Sequence, residues 1–133
     1  MKTDRFRLMD GRTLGFADCG EYEADPVLLF HGTPGSRLLF SNSGPLLAEH
    51  GVRVIAPERP GFGLSDPKPD RTIPGWADDV RELADHLHLE RFHVAGFSGG
   101  GAYALACAAA MPKRVLTCTL ISTSVPPDSD MSR

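Results

Sequence analysis

Gly96-Phe97-Ser98-Gly99-Gly100 is a G-x-S-x-G run, and it lies where an apolar strand meets a helix of small residues. Phe92-His93-Val94-Ala95 reads as a buried strand, and the residues from Gly99 to Met111 read as a helix stopped by Pro112. A serine in that context sits on a turn so tight that its neighbours must be nearly free of side chains. Gly96 and Gly100 meet that demand and let strand and helix close around it. The expected result is a Ser98 hydroxyl held at the tip of the turn, at the positive end of a helix dipole. A serine that only capped the helix would need none of the glycines at 96, 99, 100 and 101. Gly99-x-Gly101-x-x-Ala104 also matches a dinucleotide fingerprint, but Ile121 to Pro127, about 20 residues on, offers no acid for a ribose.

Outward from this turn the chain alternates strands and helices. Phe6-Arg7-Leu8, the turn signal Asp10-Gly11 and Leu14-Gly15-Phe16 predict an antiparallel hairpin. Val27-Leu28-Leu29-Phe30 is a continuous apolar run, the mark of a strand covered on both faces. A short helix over Leu46 to His50 ends at Gly51, and Val52 to Ala56 gives another buried strand. After a loop rich in proline and glycine, Trp76, Val80, Leu83 and Leu87 form one apolar helical stripe. Asp78, Asp79, Arg81, Glu82 and Asp85 fall on its polar face. Val115 to Ile121 reads as a last strand, buried on both faces, with no helix after it and an apolar edge left open. The fold class is therefore α/β: a mostly parallel sheet, helices on both faces, and an N-terminal antiparallel hairpin.

The 133 residues suit one domain. With 41% hydrophobic and 23% charged residues the composition is that of an ordinary globular chain. A net charge of −3 gives no reason to expect nucleic acid or an anionic membrane as partner. No apolar run approaches the ~20 residues that span a bilayer, and the charged N-terminus is no signal core, so a cytoplasmic location is expected. Cys19, Cys107 and Cys118 form neither a disulfide framework nor a zinc pattern, and Cys107 and Cys118 read as inert core residues. No metal or organic cofactor is implied.

A serine hydroxyl becomes a nucleophile when a base takes its proton, and the oxyanion it creates needs preorganised N–H donors. The Gly99 N–H is one candidate. The second lies in His31-Gly32-Thr33-Pro34-Gly35, after the strand ending at Phe30: its glycines admit a ligand close to the backbone, and Pro34 removes one N–H, leaving that of Thr33.

The order of hairpin, strand, His31–Gly35 loop, helix, strand, Pro57-Glu58-Arg59-Pro60-Gly61-Phe62-Gly63-Leu64-Ser65-Asp66, helix, strand and elbow resembles the N-terminal half of an α/β-hydrolase. The likeness runs from about Phe6 to Pro127. Its loop motifs are similar to those of prolyl iminopeptidases and related esterases. The resemblance implies Ser98 as nucleophile and the Thr33 and Gly99 N–H groups as oxyanion hole. It makes His31 a loop-anchoring histidine, with Gly32, Gly35, Gly96 and Gly100 in support. It also implies one partial domain over 1–133, ending near the point where the family inserts its cap. The expected function is cleavage of a small ester or amide through an acyl-enzyme. A serine rather than an aspartate at the elbow argues against dehalogenase or epoxide hydrolase chemistry.

One departure matters. The family places its acid and histidine after the serine, whereas His31, His50, His86, His88 and His93 all precede Ser98. Asp128 and Asp130 follow the last strand, several residues late for the acid. His86 and His88 are expected at the surface, and an Arg–Asp pair among Arg59, Asp66 and Arg71 is expected to brace the long loop. The rival reading is an inactive remnant that binds or assembles, self-associating through its open last strand.

Overall fold

The computed structural model describes residues 1–123. It contains a single six-stranded sheet in the order β1-β2-β4-β3-β5-β6, where β1 is Lys2–Arg7, β2 Thr13–Gly20, β3 Pro26–Phe30, β4 Arg53–Pro57, β5 Phe92–Phe97 and β6 Val115–Ile121. The β1–β2 hairpin is antiparallel and joins β4 antiparallel; β4, β3, β5 and β6 run parallel. Mixed pairing of this kind follows from the sequence: tight turn chemistry at Asp10-Gly11 makes a hairpin, while the later strands are separated by helices.

Helices cover both faces. On one, α2 (Ile73–His86) and α3 (Gly101–Ala110) lie over a core built on Leu14, Phe16, Leu28, Phe30, Ile55, Phe92 and Val94. Trp76, Val80 and Leu83 of the α2 stripe are fully or nearly fully buried there, while Leu87, the C-cap, is half-buried. Thr72 caps α2 by accepting the Gly75 N–H at 3.0 Å, and Pro74 takes a first-turn position where its missing N–H costs nothing. On the opposite face the short α1 (Gly44–Glu49) covers a smaller cluster of Cys19, Leu29, Val54 and Ala95.

Several expectations need correction. Asp79 is 3% exposed rather than solvated. Arg12 reaches it from the hairpin turn with two hydrogen bonds, Nη1 to Oδ2 at 3.0 Å and Nη2 to Oδ1 at 2.7 Å. A paired carboxylate can stand on a buried helix face where an unpaired one could not. The long loop holds no Arg–Asp pair among the described residues. Asp66 accepts from the Thr13 N–H, Arg71 donates to the Pro60 carbonyl, and the ion pair of the loop is Arg37–Glu58, at 2.9 Å. The helix after Ser98 begins with a 3-10 turn over Ser98–Gly100 and becomes α-helical only at Gly101.

The last strand is the open apolar edge that its reading expects, but it is not buried on both faces. β6 is mostly exposed, with Leu116, Leu120 and Ile121 at the surface, because among the described residues it is an edge strand packed by α3 on one face only. Cys107 is fully buried and burial pushes its thiol up to about 12, which fits a core residue; Cys118, expected beside it in the core, is only half-buried. His86 and His88 are exposed as expected. Asp128 and Asp130 lie outside the described residues. No helix among the described residues is long and apolar enough to cross a membrane.

Candidate functional site

β3 and β5 are parallel neighbours, and Phe30 pairs with Gly96 across them. The residues that follow each strand therefore emerge at one level, at the carboxyl edge of the sheet. Two loops meet there: His31–Gly35 after β3, and Ser98–Gly100 after β5. A ligand crevice outside the carboxyl ends of parallel strands is the usual place for a site in open α/β sheets.

Ser98 has φ of +51°, a left-handed conformation that a non-glycine residue seldom adopts. The surrounding packing enforces it. A Cβ on Gly96 would collide with the Gly100 carbonyl and the Gly101 Cα, and one on Gly100 would collide with the Phe30 carbonyl on the neighbouring strand. Strand, turn and helix thus close to a distance that only glycine permits, and the serine between them takes up the strain. Ser98 is half-buried.

The β3 loop comes close to this turn. A Cβ on Gly32 would stand 3.3 Å from the Ser98 Cβ. One on Gly99 would stand 2.9 Å from Thr33 Oγ1 and 3.6 Å from Thr33 N. The backbone of Thr33 therefore lies beside Gly99. An acyl oxygen under attack by a serine hydroxyl needs N–H donors aimed at it, and this edge of the sheet brings two loop backbones close to Ser98.

His31 is 2% exposed, and both its ring nitrogens are engaged. Nε2 accepts the Arg59 N–H at 3.2 Å, so the proton resides on Nδ1, which donates to the Gly32 carbonyl at 2.8 Å. A ring so committed anchors its loop and has no lone pair free for Ser98. A Cβ on Gly35 would stand 2.8 Å from His31 Nδ1 and 2.6 Å from the Gly32 carbonyl oxygen, so Gly35 lets the loop fold over the ring. Burial, reinforced by the Arg59 charge, holds the imidazole below its ordinary 6.5. The unfolded chain then takes up a proton as pH falls below 6.5 while the folded protein resists it, so the stability contributed by neutral His31 is lost on acidification. Between pH 7.5 and pH 5.5 the melting temperature should fall more steeply for the wild type than for His31→Asn. Parallel falls in the two proteins would contradict this.

The other histidines serve elsewhere: His50 Nδ1 meets the Leu46 carbonyl, His86 stacks on Phe6, and His93 Nδ1 meets Thr117 Oγ1. No histidine approaches the Ser98 hydroxyl within hydrogen-bonding distance among the described residues.

Sequence reasoning missed Glu58 and gave Arg59 the wrong kind of partner, and both shape the loops at this edge. Glu58, fully buried, accepts Arg37 Nη1 at 2.9 Å and the Leu64 N–H at 2.6 Å, and so shapes the loop after β4. Arg59, 4% exposed, donates from Nη2 to the His31 carbonyl, the Gly32 carbonyl and Thr33 Oγ1. The available signal was Glu58-Arg59, a charged pair placed directly after the buried strand β4.

The family described as alpha/beta hydrolase fold matches residues 25–133, and the chain belongs to it. The chain is 37% identical over 120 residues to a non-heme chloroperoxidase of Streptomyces lividans, covering 89% of this chain and 43% of that protein. It is 35% identical over 114 residues to a haloalkane dehalogenase of Psychrobacter cryohalolentis, covering 84% of this chain and 38% of that one. The solved thermophilic esterase of Thermogutta terrifontis superposes with a TM-score of 0.81 at 32% identity, covering 98% of this chain and 48% of the esterase. The chain thus spans less than half the length of the curated relatives it matches.

Proposed function

We propose that this chain carries the nucleophile and oxyanion hole of a serine hydrolase acting on a small ester or amide. The observation that carries the reading is the left-handed Ser98 on its glycine-lined turn, with the Thr33 and Gly99 N–H groups beside it. Ser98 Oγ attacks the acyl carbon, its proton passes to a base, and the carbonyl oxygen gains negative charge held by the two N–H donors. Collapse expels the leaving group, which takes that proton from the base and departs as alcohol or amine, leaving an acyl-serine. Water then gives a proton to the base and attacks the acyl carbon, and the base returns that proton to Ser98 Oγ as the acid leaves. The base is a group outside residues 1–123, since His31 is spent on its loop and the remaining histidines lie away from the serine. The serine at the elbow supports acyl transfer over the carbon–halogen cleavage named for the haloalkane dehalogenase relative. The esterase neighbour favours a carboxylesterase over an aminopeptidase. Three free cysteines suit a cytoplasmic setting.

Hydrolysis of 4-nitrophenyl butyrate and of proline 4-nitroanilide tests this directly. Turnover of the ester with little of the anilide is expected. Turnover of neither by the protein purified from its source would overturn the reading.

The second reading, an assembly module that pairs through β6, is favoured by one observation: Leu116, Leu120 and Ile121 are exposed on an edge strand. It predicts a concentration-dependent dimer in sedimentation and no ester turnover.

A further inference from the structure

We propose that Arg59 is a positioning residue that aims the Thr33 N–H into the oxyanion hole; this rests on the roles given above to Ser98 and Thr33. Arg59 follows β4, and its side chain crosses to the end of β3, the next strand in the sheet. There its Nη2 group serves three acceptors on consecutive residues: the His31 carbonyl at 3.1 Å, the Gly32 carbonyl at 3.1 Å and Thr33 Oγ1 at 2.8 Å. The middle contact is the informative one. The Gly32 carbonyl and the Thr33 N–H belong to one planar peptide unit, in which C=O and N–H point in opposite directions. Gripping that oxygen, by Arg59 from one side and His31 Nδ1–H at 2.8 Å from another, fixes where the N–H points. Charge-assisted donation to the oxygen also polarises the peptide and makes its N–H a stronger donor.

The guanidinium itself cannot swing. It lies 4.4 Å from the Tyr103 ring centroid and 5.1 Å from that of Phe62, held between the two. It has no carboxylate partner among the described residues, because Glu58, its sequence neighbour, is committed to Arg37 and the Leu64 N–H. Its Nε is buried with no partner among the described residues. A buried charge left in this state weakens the fold, and a packed apolar side chain would serve stability better. Its arrangement makes sense for the loop it orients. Lysine could keep the charge but not the flat group that fits between two rings and reaches three oxygens.

Steady-state kinetics of Arg59→Met and Arg59→Lys, read with their melting temperatures, test the proposal. Loss of one oxyanion donor lowers kcat by about 100- to 1000-fold, so a misaimed one should cost about 10- to 100-fold with KM held within about twofold. Lysine should restore little of it. A residue that only stabilised the fold would lower the melting temperature and leave kcat of the folded fraction unchanged, and that result overturns the proposal. A crystal structure of Arg59→Met gives a readout independent of turnover. Rotation of the Gly32–Thr33 peptide away from Gly99 is expected, and an unmoved peptide overturns the proposal. Should the wild type itself turn over no ester, the serine hydrolase reading fails and the aiming role for Arg59 falls with it. A serine that reacts while Arg59→Met is fully active sinks the Arg59 role alone.

Discussion

Ser98→Ala should lower ester turnover by about ten-thousandfold or more, while Ser98→Gly should do the same and raise stability by about 1 kcal/mol. The two outcomes have separate causes. Both variants delete the hydroxyl, and the oxyanion donors and binding groups that remain give only residual rate. Only glycine also removes the strain of holding a Cβ at φ of +51°. Urea denaturation read beside initial rates separates the effects. Equal stability of the alanine and glycine variants would mean that the turn stores no strain. Retained turnover in both would mean that another residue is the nucleophile.

Gly100→Ala should cost far more stability than a methyl added at an open glycine, and it should lower turnover as well. A Cβ there would stand against the Phe30 carbonyl on the adjacent strand and 2.8 Å from the His31 carbonyl oxygen. Both are backbone atoms, the first held in the β3–β5 ladder and the second by Arg59 Nη2, so neither can rotate away as a flexible side chain would. The turn must separate from the sheet, and overpacking of this kind costs about 3 kcal/mol or more. It also carries Ser98 away from Thr33, so kcat should fall even in the folded fraction. Gly11→Ala is the contrast: no atom lies within 4 Å of its Cβ position, so its cost is confined to its left-handed φ of +93°. Chemical denaturation of the two variants checks the order, and a Gly100→Ala protein as stable as Gly11→Ala would contradict the packing account.

The fold was largely legible because its signals are local. An alternating hairpin around Asp10-Gly11, the apolar run Val27 to Phe30 and the Trp76–Val80–Leu83 stripe each declare their element within a few residues. The closeness of the two glycine-rich loops was legible for a different reason, since each follows a buried strand. What was not legible depends on which strands are neighbours. Arg12 and Asp79 are 67 residues apart, and a solvated helix face is the natural reading of Asp79 until the hairpin turn is seen to reach it. Arg59 grips carbonyls 27 and 28 residues earlier only because β4 lies beside β3. Backbone acceptors leave no mark in a sequence, so neither that grip nor its aim at the Gly32–Thr33 peptide had a signature.

The most direct test of the account is where an alkyl fluorophosphonate attaches to the protein purified from its source. Such a reagent reacts with an activated serine and leaves a tetrahedral phosphonyl oxygen in the oxyanion hole. Peptide mass spectrometry should find the phosphonyl group on Ser98 and on no other serine, with labelling abolished in Ser98→Ala. An unlabelled protein, or a label that persists in Ser98→Ala, would contradict the assignment of the nucleophile and the oxyanion hole built around it.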